Sequence, residues 1–217
     1  MEEVRTGIKI CGLTRQEDIA MVNVLRPDYI GFVFAKSRRQ VSEKQAAELR
    51  KKLLPGICVV GVFVNAPVQE EVKLFREKVI DMVQLHGQED EAHIRQLREL
   101  TREQTGTAAP VIKAVSMSAE KRESGSVPEC WLESEADYLL LDNGPGGTGK
   151  AFDHTLIVPE KMTKPFFLAG GICGDNAVQA IRTCRPFALD ASSGVETDGV
   201  KDMEKMRQLI YAVRGYG

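Results

Sequence analysis

The longest apolar run in the chain, ICVVGVFV at residues 57–64, has the length and the β-branched composition of a buried strand. A segment of helical period follows at residues 67–79. It opens with Pro67, which a first helical turn tolerates because the N–H groups there have no partner within the helix. Together the two segments predict one strand–helix unit. The apolar run is also far below the roughly 18 residues that a membrane span needs.

This strand–helix unit recurs along the chain. Most of the other apolar runs are again followed by amphipathic segments, and strands that alternate with helices form parallel sheets through right-handed crossovers. Eight such units in about 200 residues predict an α/β fold, a (β/α)8 TIM barrel that forms a single domain over residues 1–217. The other seven runs lie at residues 8–11, 29–34, 82–86, 111–115, 138–142, 166–170 and 187–192.

An open doubly wound sheet is the alternative architecture. It would carry a glycine-rich fingerprint after its first strand, and the sequence CGLT at residues 11–14 is not one. One segment departs from the regular pattern: residues 116–134 are polar and contain Gly125 and Pro128, so we expect a short or broken helix there. Neither a linker nor a break in composition divides the chain.

Composition excludes several classes of protein. The chain has 217 residues, of which 43% are hydrophobic and 28% charged, and this composition argues against a disordered chain. Its net charge is −2 and no basic patch stands out, which argues against a nucleic-acid partner. The N-terminus is charged and lacks the apolar core of a signal peptide. Five scattered cysteines without a CxxC pair argue against a disulfide framework or a structural zinc site. We expect a soluble, cytoplasmic protein without a membrane partner, either a monomer or a homodimer.

The barrel prediction places the active site at the carboxyl ends of the strands. Strand alternation puts Lys9 and Cys11 on the same face at the end of the first strand, about 7 Å apart. Cys11 is either a small buried apolar residue or a general base. A nearby ammonium lowers the pKa of a thiol from about 8.5, and a shift of about 1.5 units would leave half of it as thiolate at neutral pH.

Asp142 ends the sixth strand and runs into a glycine-rich loop, NGPGGTGK at residues 143–150. An ordinary turn or capping aspartate is one interpretation. The other is a general acid beneath a mobile cover, because a loop so rich in glycine can move or approach a ligand closely. To act as an acid at pH 7, Asp142 needs a pKa raised by about 3 units, which burial and substrate anions can supply.

The last two strands end in small residues that expose backbone N–H groups. Such ends form the phosphate site of many barrels, so a phosphorylated small molecule is the expected ligand. The candidate phosphate-site residues are Gly170, Gly171, Ser192, Ser193 and Gly194, and Asp190 at the end of the eighth strand is a further candidate for contact with the substrate.

Side chains after the second and fourth strands are further candidates for contact with the ligand. The segment 34–41 after the second strand, which contains Arg38 and Arg39, is either a solvated basic loop or a site for a second anionic group, since arginine binds carboxylates with two parallel hydrogen bonds. Gln84 and His86 share a face at the end of the fourth strand and line the predicted barrel mouth, although a core histidine is an equal alternative. His93 and His154 are expected at the surface. The sequence shows no metal-ligand pattern.

Taken in order, these strand ends resemble the phosphoribosylanthranilate isomerase family of tryptophan biosynthesis. The resemblance spans nearly the whole chain. It rests on the motifs KICGLT (9–14), GFVF (31–34) with SRR (37–39), VGVFVN (60–65), VQLHG (83–87), LLD (140–142), GGTGK (146–150) with FD (152–153), GG (170–171) and residues 190–196.

The resemblance implies an Amadori rearrangement of N-(5′-phosphoribosyl)anthranilate without a metal or an organic cofactor. It implies that Asp142 protonates the ring oxygen as the general acid and that Cys11 removes the C2′ proton as the general base. It also implies that Arg39 binds the anthranilate carboxylate and that the glycines and serines after strands seven and eight hold the phosphate. The chain departs from the family pattern in a shorter loop after Asp142 and in His154, where tryptophan is usual.

Two other functions fit a phosphate-binding barrel. The histidine-pathway sugar isomerases catalyse the same rearrangement on a related substrate, but they use paired aspartates and two similar half-barrels, whereas this chain has Cys11 and no obvious internal repeat. A phosphosugar-binding barrel without catalysis is the second alternative. The presence of both Cys11 and Asp142 argues against it.

Overall fold

Eight parallel strands close into a barrel in the order of the chain, which confirms the predicted (β/α)8 fold. The computed structural model describes residues 5–117, 127–142, 157 and 159–216. Pairing of Lys9 in the first strand with Asp190 in the last closes the barrel. The strands are β1 (Gly7–Cys11), β2 (Tyr29–Val33), β3 (Cys58–Phe63), β4 (Met82–Leu85), β5 (Val111–Ser116), β6 (Tyr138–Asp142), β7 (Phe166–Leu168) and β8 (Ala188–Ala191).

The helices pack around the barrel between these strands. In the described part of the segment after β5, the helix has four residues, in line with the short helix that the polar composition predicts, while residues 118–126 lie outside the described residues. A two-stranded ribbon, β9 (Glu196–Thr197) and β10 (Val200–Lys201), follows β8. Within the described residues, no helix combines the length and the apolar character that a bilayer crossing requires. The helices are α1 (Gln16–Leu25), α2 (Glu43–Lys51), α3 (Val68–Arg76), α4 (Glu91–Thr105), α5 (Glu129–Leu132), α6 (Ala177–Cys184) and α7 (Met203–Arg214).

The inside of the barrel changes from apolar to polar along the strands. Successive residues of a strand point to opposite faces, so Tyr138, Leu140 and Asp142 of β6 point inward while Leu139 and Leu141 pack beneath the helices. The inward-facing apolar side chains fill the barrel and leave its carboxyl end to polar groups. The buried members of this inner cluster are Val60, Met82, Ile112, Leu140, Phe167, Ala169 and Ala188.

Candidate active site

The carboxyl ends of the strands bring the two predicted catalytic residues to the same end of the barrel. Cys11 is the last residue of β1 and Asp142 the last of β6. His86, directly after β4, places its Nε2 atom 3.8 Å from Oδ2 of Asp142. On the other side, the Ser192 hydroxyl after β8 donates a hydrogen bond of 3.2 Å to the carbonyl of Cys11. Four strand ends therefore surround one mouth.

Lys9 lies inside the barrel with no exposed surface. Its Nζ atom donates to Oδ1 of Asp190 at 3.0 Å and to Oε1 of Gln84 at 2.9 Å. Burial alone lowers the pKa of Lys9, but the charges of Asp190 and Cys11 outweigh it and raise that pKa overall. Lys9 is thus a fixed ammonium beneath the mouth. Lys9 and Gln84, which we predict to contact the ligand, are hydrogen-bonded to each other in this structure.

The environment of Cys11 differs from the one that the sequence predicts. Burial raises the pKa of the Cys11 thiol, and the Asp190 carboxylate raises it further, while the Lys9 and Lys201 ammonium groups lower it. The net shift is upward, so the expectation that Lys9 lowers the pKa of Cys11 overall is wrong. Desolvation dominates because Cys11 is 8% exposed.

A glycine on the neighbouring strand makes room for the Cys11 side chain. Gly31 of β2 pairs with Cys11 of β1, and a Cβ at Gly31 would lie 2.6 Å from the Cys11 sulfur. Any larger residue there would displace the thiol. Gly31 is not among the predicted site residues, although Gly31 begins the motif GFVF and occupies an inward-facing position.

His86 is partly exposed at the mouth, whereas Gln84 beneath it is 1% exposed. The Gln84 amide nitrogen lies 2.9 Å from Nδ1 of His86. Burial lowers the pKa of His86; the ammonium groups of Lys9 and Lys113 lower it further, while Asp190 and Glu89 oppose them. His86 is therefore a neutral imidazole at pH 7.

Arg39 is held at the mouth by Glu196, a contact that the sequence analysis did not predict. The guanidinium binds the Glu196 carboxylate through Nε at 2.7 Å and Nη2 at 2.8 Å. Lys201 and Arg38 bind the same carboxylate at 2.6 and 3.0 Å. Burial raises the pKa of Glu196, but hydrogen bonds and charges from Arg39 and Lys201 reverse this and lower it to about 2.

Gly12 allows Arg39 to lie against the end of β1. Its φ of +84° is in the left-handed region, and a Cβ at this position would lie 2.4 Å from Cδ of Arg39. The arginine predicted to bind a carboxylate therefore lies next to Cys11 in space, although 28 residues separate the two in the sequence.

The predicted phosphate residues lie after β7 and β8, whereas Asp190 lies within β8 and its carboxylate accepts a hydrogen bond from Lys9. A Cβ at Gly194 would lie 2.1 Å from the Ile172 carbonyl oxygen, so the two loops touch only because residue 194 is glycine. No hydrogen bond between described residues uses the backbone N–H groups of Gly170, Gly171, Ser193 or Gly194. As far as contacts between described residues are concerned, an anion can therefore bind these donors without breaking a hydrogen bond.

Several predictions lie outside the described residues. They concern the glycine-rich loop at residues 143–150, the pair Phe152 and Asp153, and His154. Of the other histidines, His93 is not a free surface residue, because its Nε2 atom lies 2.8 Å from the buried Glu71 carboxylate. In the part of the chain that the structure describes, no three His, Cys, Asp or Glu side chains are grouped to hold a metal ion.

Comparison with known proteins relates the chain to one family. The family model of N-(5′-phosphoribosyl)anthranilate (PRA) isomerase matches residues 8–212. The N-(5′-phosphoribosyl)anthranilate isomerase of Endomicrobium trichonymphae is 42% identical over 95% of this chain and 98% of its own. The crystal structure of the Thermotoga maritima isomerase has a TM-score of 0.83 and 35% identity, covering 97% of this chain and 99% of that one.

A second solved structure is of phosphoribosyl anthranilate isomerase in complex with reduced 1-(o-carboxyphenylamino)-1-deoxyribulose 5-phosphate. It has a TM-score of 0.80 and 34% identity, and the match covers 97% of this chain and 99% of that one. The family model matches almost the whole chain, and the relatives at these identities carry the name of the same family. The chain belongs to the N-(5′-phosphoribosyl)anthranilate isomerase family.

Proposed function

We propose that this isomerase converts N-(5′-phosphoribosyl)anthranilate into 1-(2-carboxyphenylamino)-1-deoxyribulose 5-phosphate in tryptophan biosynthesis. The observation that carries the proposal is the placement of Cys11 and Asp142 at the ends of β1 and β6, around one mouth that also holds Arg39. A relative in complex with the reduced product supports the same ligand. A monomer or homodimer stays the prediction for its assembly.

The proposed reaction begins with Asp142 as the general acid. Its carboxyl group donates a proton to the furanose ring oxygen, the C1′–O bond breaks, and the nitrogen lone pair forms a Schiff base with C1′. Asp142 is 18% exposed, so it is accessible from the mouth yet largely removed from water.

Cys11 then acts as the general base. Its thiolate removes the C2′ proton, and the electrons move toward the iminium nitrogen to give an enolamine, which tautomerises to the ketose. Since burial keeps the thiol protonated, the thiolate must form within the complex, and the ammonium groups of Lys9 and Lys201 are the charges that favour it. A base with a raised pKa is a stronger proton acceptor once it is formed.

The two ends of the substrate match two cationic or donor-rich regions. Arg39, oriented by Glu196, is proposed to bind the anthranilate carboxylate through N–H groups outside that ion pair. The phosphate is proposed to bind the backbone of the two loops after β7 and β8. Its candidate site comprises Gly170, Gly171, Ser192, Ser193 and Gly194.

The decisive experiment follows the fluorescence of the anthranilate-linked substrate with the purified protein. We expect turnover of this compound and none of the histidine-pathway aminoaldose phosphate. Turnover of the second compound alone would reverse the assignment. Tight binding of the anthranilate compound without turnover would instead identify a binding module.

A further inference from the structure

Five polar side chains form a continuous chain across the barrel mouth, from β8 to β6. Asp190 accepts from Nζ of Lys9 at 3.0 Å, and the same Nζ donates to Oε1 of Gln84 at 2.9 Å. The Gln84 amide nitrogen lies 2.9 Å from Nδ1 of His86, and Nε2 of His86 lies 3.8 Å from Oδ2 of Asp142. Lys9 and Gln84 are on strands that do not pair, so this contact spans the interior.

Lys9 sets the direction of every hydrogen bond that follows. An ammonium can only donate, so the atom of Gln84 that faces Lys9 must be the amide oxygen. The amide NH2 group then faces His86 and can only donate, which makes Nδ1 of His86 an acceptor. In a neutral imidazole the proton must therefore be on Nε2, the nitrogen that faces Asp142.

The protonated form of His86 does not fit this series of hydrogen-bonded side chains. An imidazolium carries a hydrogen on Nδ1, which would point at the hydrogens of the Gln84 amide. Burial and the charges of Lys9 and Lys113 lower the pKa of His86, against the opposing charges of Asp190 and Glu89. The hydrogen-bond geometry thus selects the Nε2–H tautomer, while burial and charge favour the neutral form of the ring.

The backbone around His86 is fixed independently of the Gln84 contact. The N–H of His86 donates to the Phe63 carbonyl at 2.8 Å. The next residue, Gly87, donates its N–H to the buried Glu89 carboxylate at 2.8 Å, and its carbonyl accepts from Lys113 at 2.9 Å. The backbone of His86 and the Nδ1 atom of its ring are therefore both held in place.

We infer that Gln84 is a positioning residue that holds His86 in the Nε2–H tautomer, so that His86 presents a donor rather than a lone pair to Asp142. The inference rests on the proposed role of Asp142 as the acid. With its only lone pair bound to Gln84, His86 does not compete for the acid proton of Asp142. Its Nε2–H stabilises the Asp142 carboxylate that remains after the proton transfer, through a small side-chain shift or a bridging water across the 3.8 Å gap.

The direct test is the side-chain ¹⁵N NMR spectrum of the wild-type protein, which distinguishes the Nδ1–H and Nε2–H tautomers of a histidine. We expect His86 to show a protonated Nε2 and an unprotonated, hydrogen-bonded Nδ1 at pH 7, assigned by comparison with His86→Asn. A protonated Nδ1 in the wild type would overturn the inference. This measurement does not depend on the enzyme's substrate, so it can succeed or fail separately from the proposed function.

Two variants test the consequence for catalysis. Gln84→Glu keeps the shape of the side chain but offers an acceptor to Nδ1, so we expect the His86 proton to move to that nitrogen. Gln84→Met removes both hydrogen-bonding groups. A histidine in the wrong tautomer costs a catalytic site up to about 10⁴-fold in kcat, so we expect at least about a 10-fold loss in kcat with little change in KM.

Gln179→Met, on the exposed side of α6, is the matched control and should change neither kcat nor the tautomer. A variant that changes the tautomer but keeps wild-type kcat would overturn the positioning role, as would a loss of kcat with the Nε2–H tautomer intact. If Gln84→Met does not fold, the wild-type spectrum and Gln84→Glu decide the outcome. Absence of isomerase activity in the wild type would refute the proposed function and leave the spectrum as the test of the tautomer.

Discussion

Arg39 and Glu196 form a bidentate ion pair, with an Nε–Oε1 distance of 2.7 Å and an Nη2–Oε2 distance of 2.8 Å. The pair joins the loop after β2 to the segment after β8 and fixes the plane of the guanidinium. Its Nη1 amino group lies outside the pair and remains a donor for a ligand. The pair therefore orients the arginine and leaves part of it available.

Arg39→Ala should mainly raise KM for the anthranilate substrate. A hydrogen bond to a charged group contributes about 1.5–3 kcal/mol, so we expect KM to rise about 10- to 100-fold while kcat stays within a few-fold. Steady-state kinetics by the fluorescence assay measure both. Arg38→Ala is the matched control, because Arg38 contacts the same carboxylate but is 58% exposed. An unchanged KM in Arg39→Ala would move the carboxylate contact elsewhere.

Glu196→Gln should weaken substrate binding without removing Arg39. The amide keeps the shape of the side chain but loses the charge that holds both Arg39 and Lys201, so the guanidinium becomes less well oriented. We expect KM to rise about 3- to 10-fold, which corresponds to about 1 kcal/mol. In the Arg39→Ala background the same change should have little further effect. Full additivity of the two changes would show that Glu196 acts independently of Arg39.

Cys11→Ser should abolish most of the turnover and leave substrate affinity nearly intact. A serine hydroxyl is far too weakly acidic to supply a base at neutral pH, and loss of a general base costs about 10²–10⁴-fold in rate. Single-turnover kinetics measure the chemical step, and fluorescence titration measures binding. Cys130→Ser, at an exposed position of α5, should behave as wild type. Normal kcat in Cys11→Ser would refute the role of the thiol.

Asp142→Asn should also lower kcat by about 10²–10⁴-fold, because an amide cannot transfer a proton to the ring oxygen. The fold should be unchanged, since the substitution keeps the size of the side chain. Circular dichroism and the activity assay separate these effects. Asp175→Asn, in the segment between β7 and α6, is the control. A variant with kcat near wild type would assign the acid to another group.

The barrel and the location of the site could be predicted because both follow from local sequence patterns. Apolar runs followed by amphipathic segments predict the eight strands, and residues such as Cys11 and Asp142 mark the strand ends where parallel barrels place their sites. The pairing of Arg39 with Glu196 could not be predicted, because 157 residues separate them and a charge in a loop has many partners of opposite sign.

The electrostatics of the site depend on packing that a sequence does not contain. Lys9 is close to Cys11 on one strand, so a lowered thiol pKa was the natural expectation. The upward shift of the Cys11 pKa arises because neighbouring strands exclude water from the thiol and because the Asp190 carboxylate lies close to it. Together these outweigh the opposing charges of Lys9 and Lys201. Burial and competing partners are properties of the closed barrel rather than of any one segment.

Glu71→Gln should stabilise the protein at alkaline pH and have little effect below pH 5. Glu71 lies between α3 and α4 with no exposed surface; burial raises its pKa to about 7, although His93 opposes the shift. Its Oε1 atom has no hydrogen-bond partner among the described residues. In the unfolded chain the pKa is about 4.3, so between these values the folded state binds more protons and stability falls as pH rises.

Above pH 7 the buried carboxylate costs the folded state at most about 4 kcal/mol, and the neutral amide of the glutamine variant avoids this cost while it can still bond to His93. We therefore expect denaturant unfolding to show a gain of about 1–3 kcal/mol for Glu71→Gln at pH 8 and a much smaller one at pH 4.5. Glu70→Gln, at an exposed position of the same helix, should show little difference between the two pH values. An equal effect of Glu71→Gln at both values would mean that packing, and not ionisation of the buried carboxyl, determines its contribution.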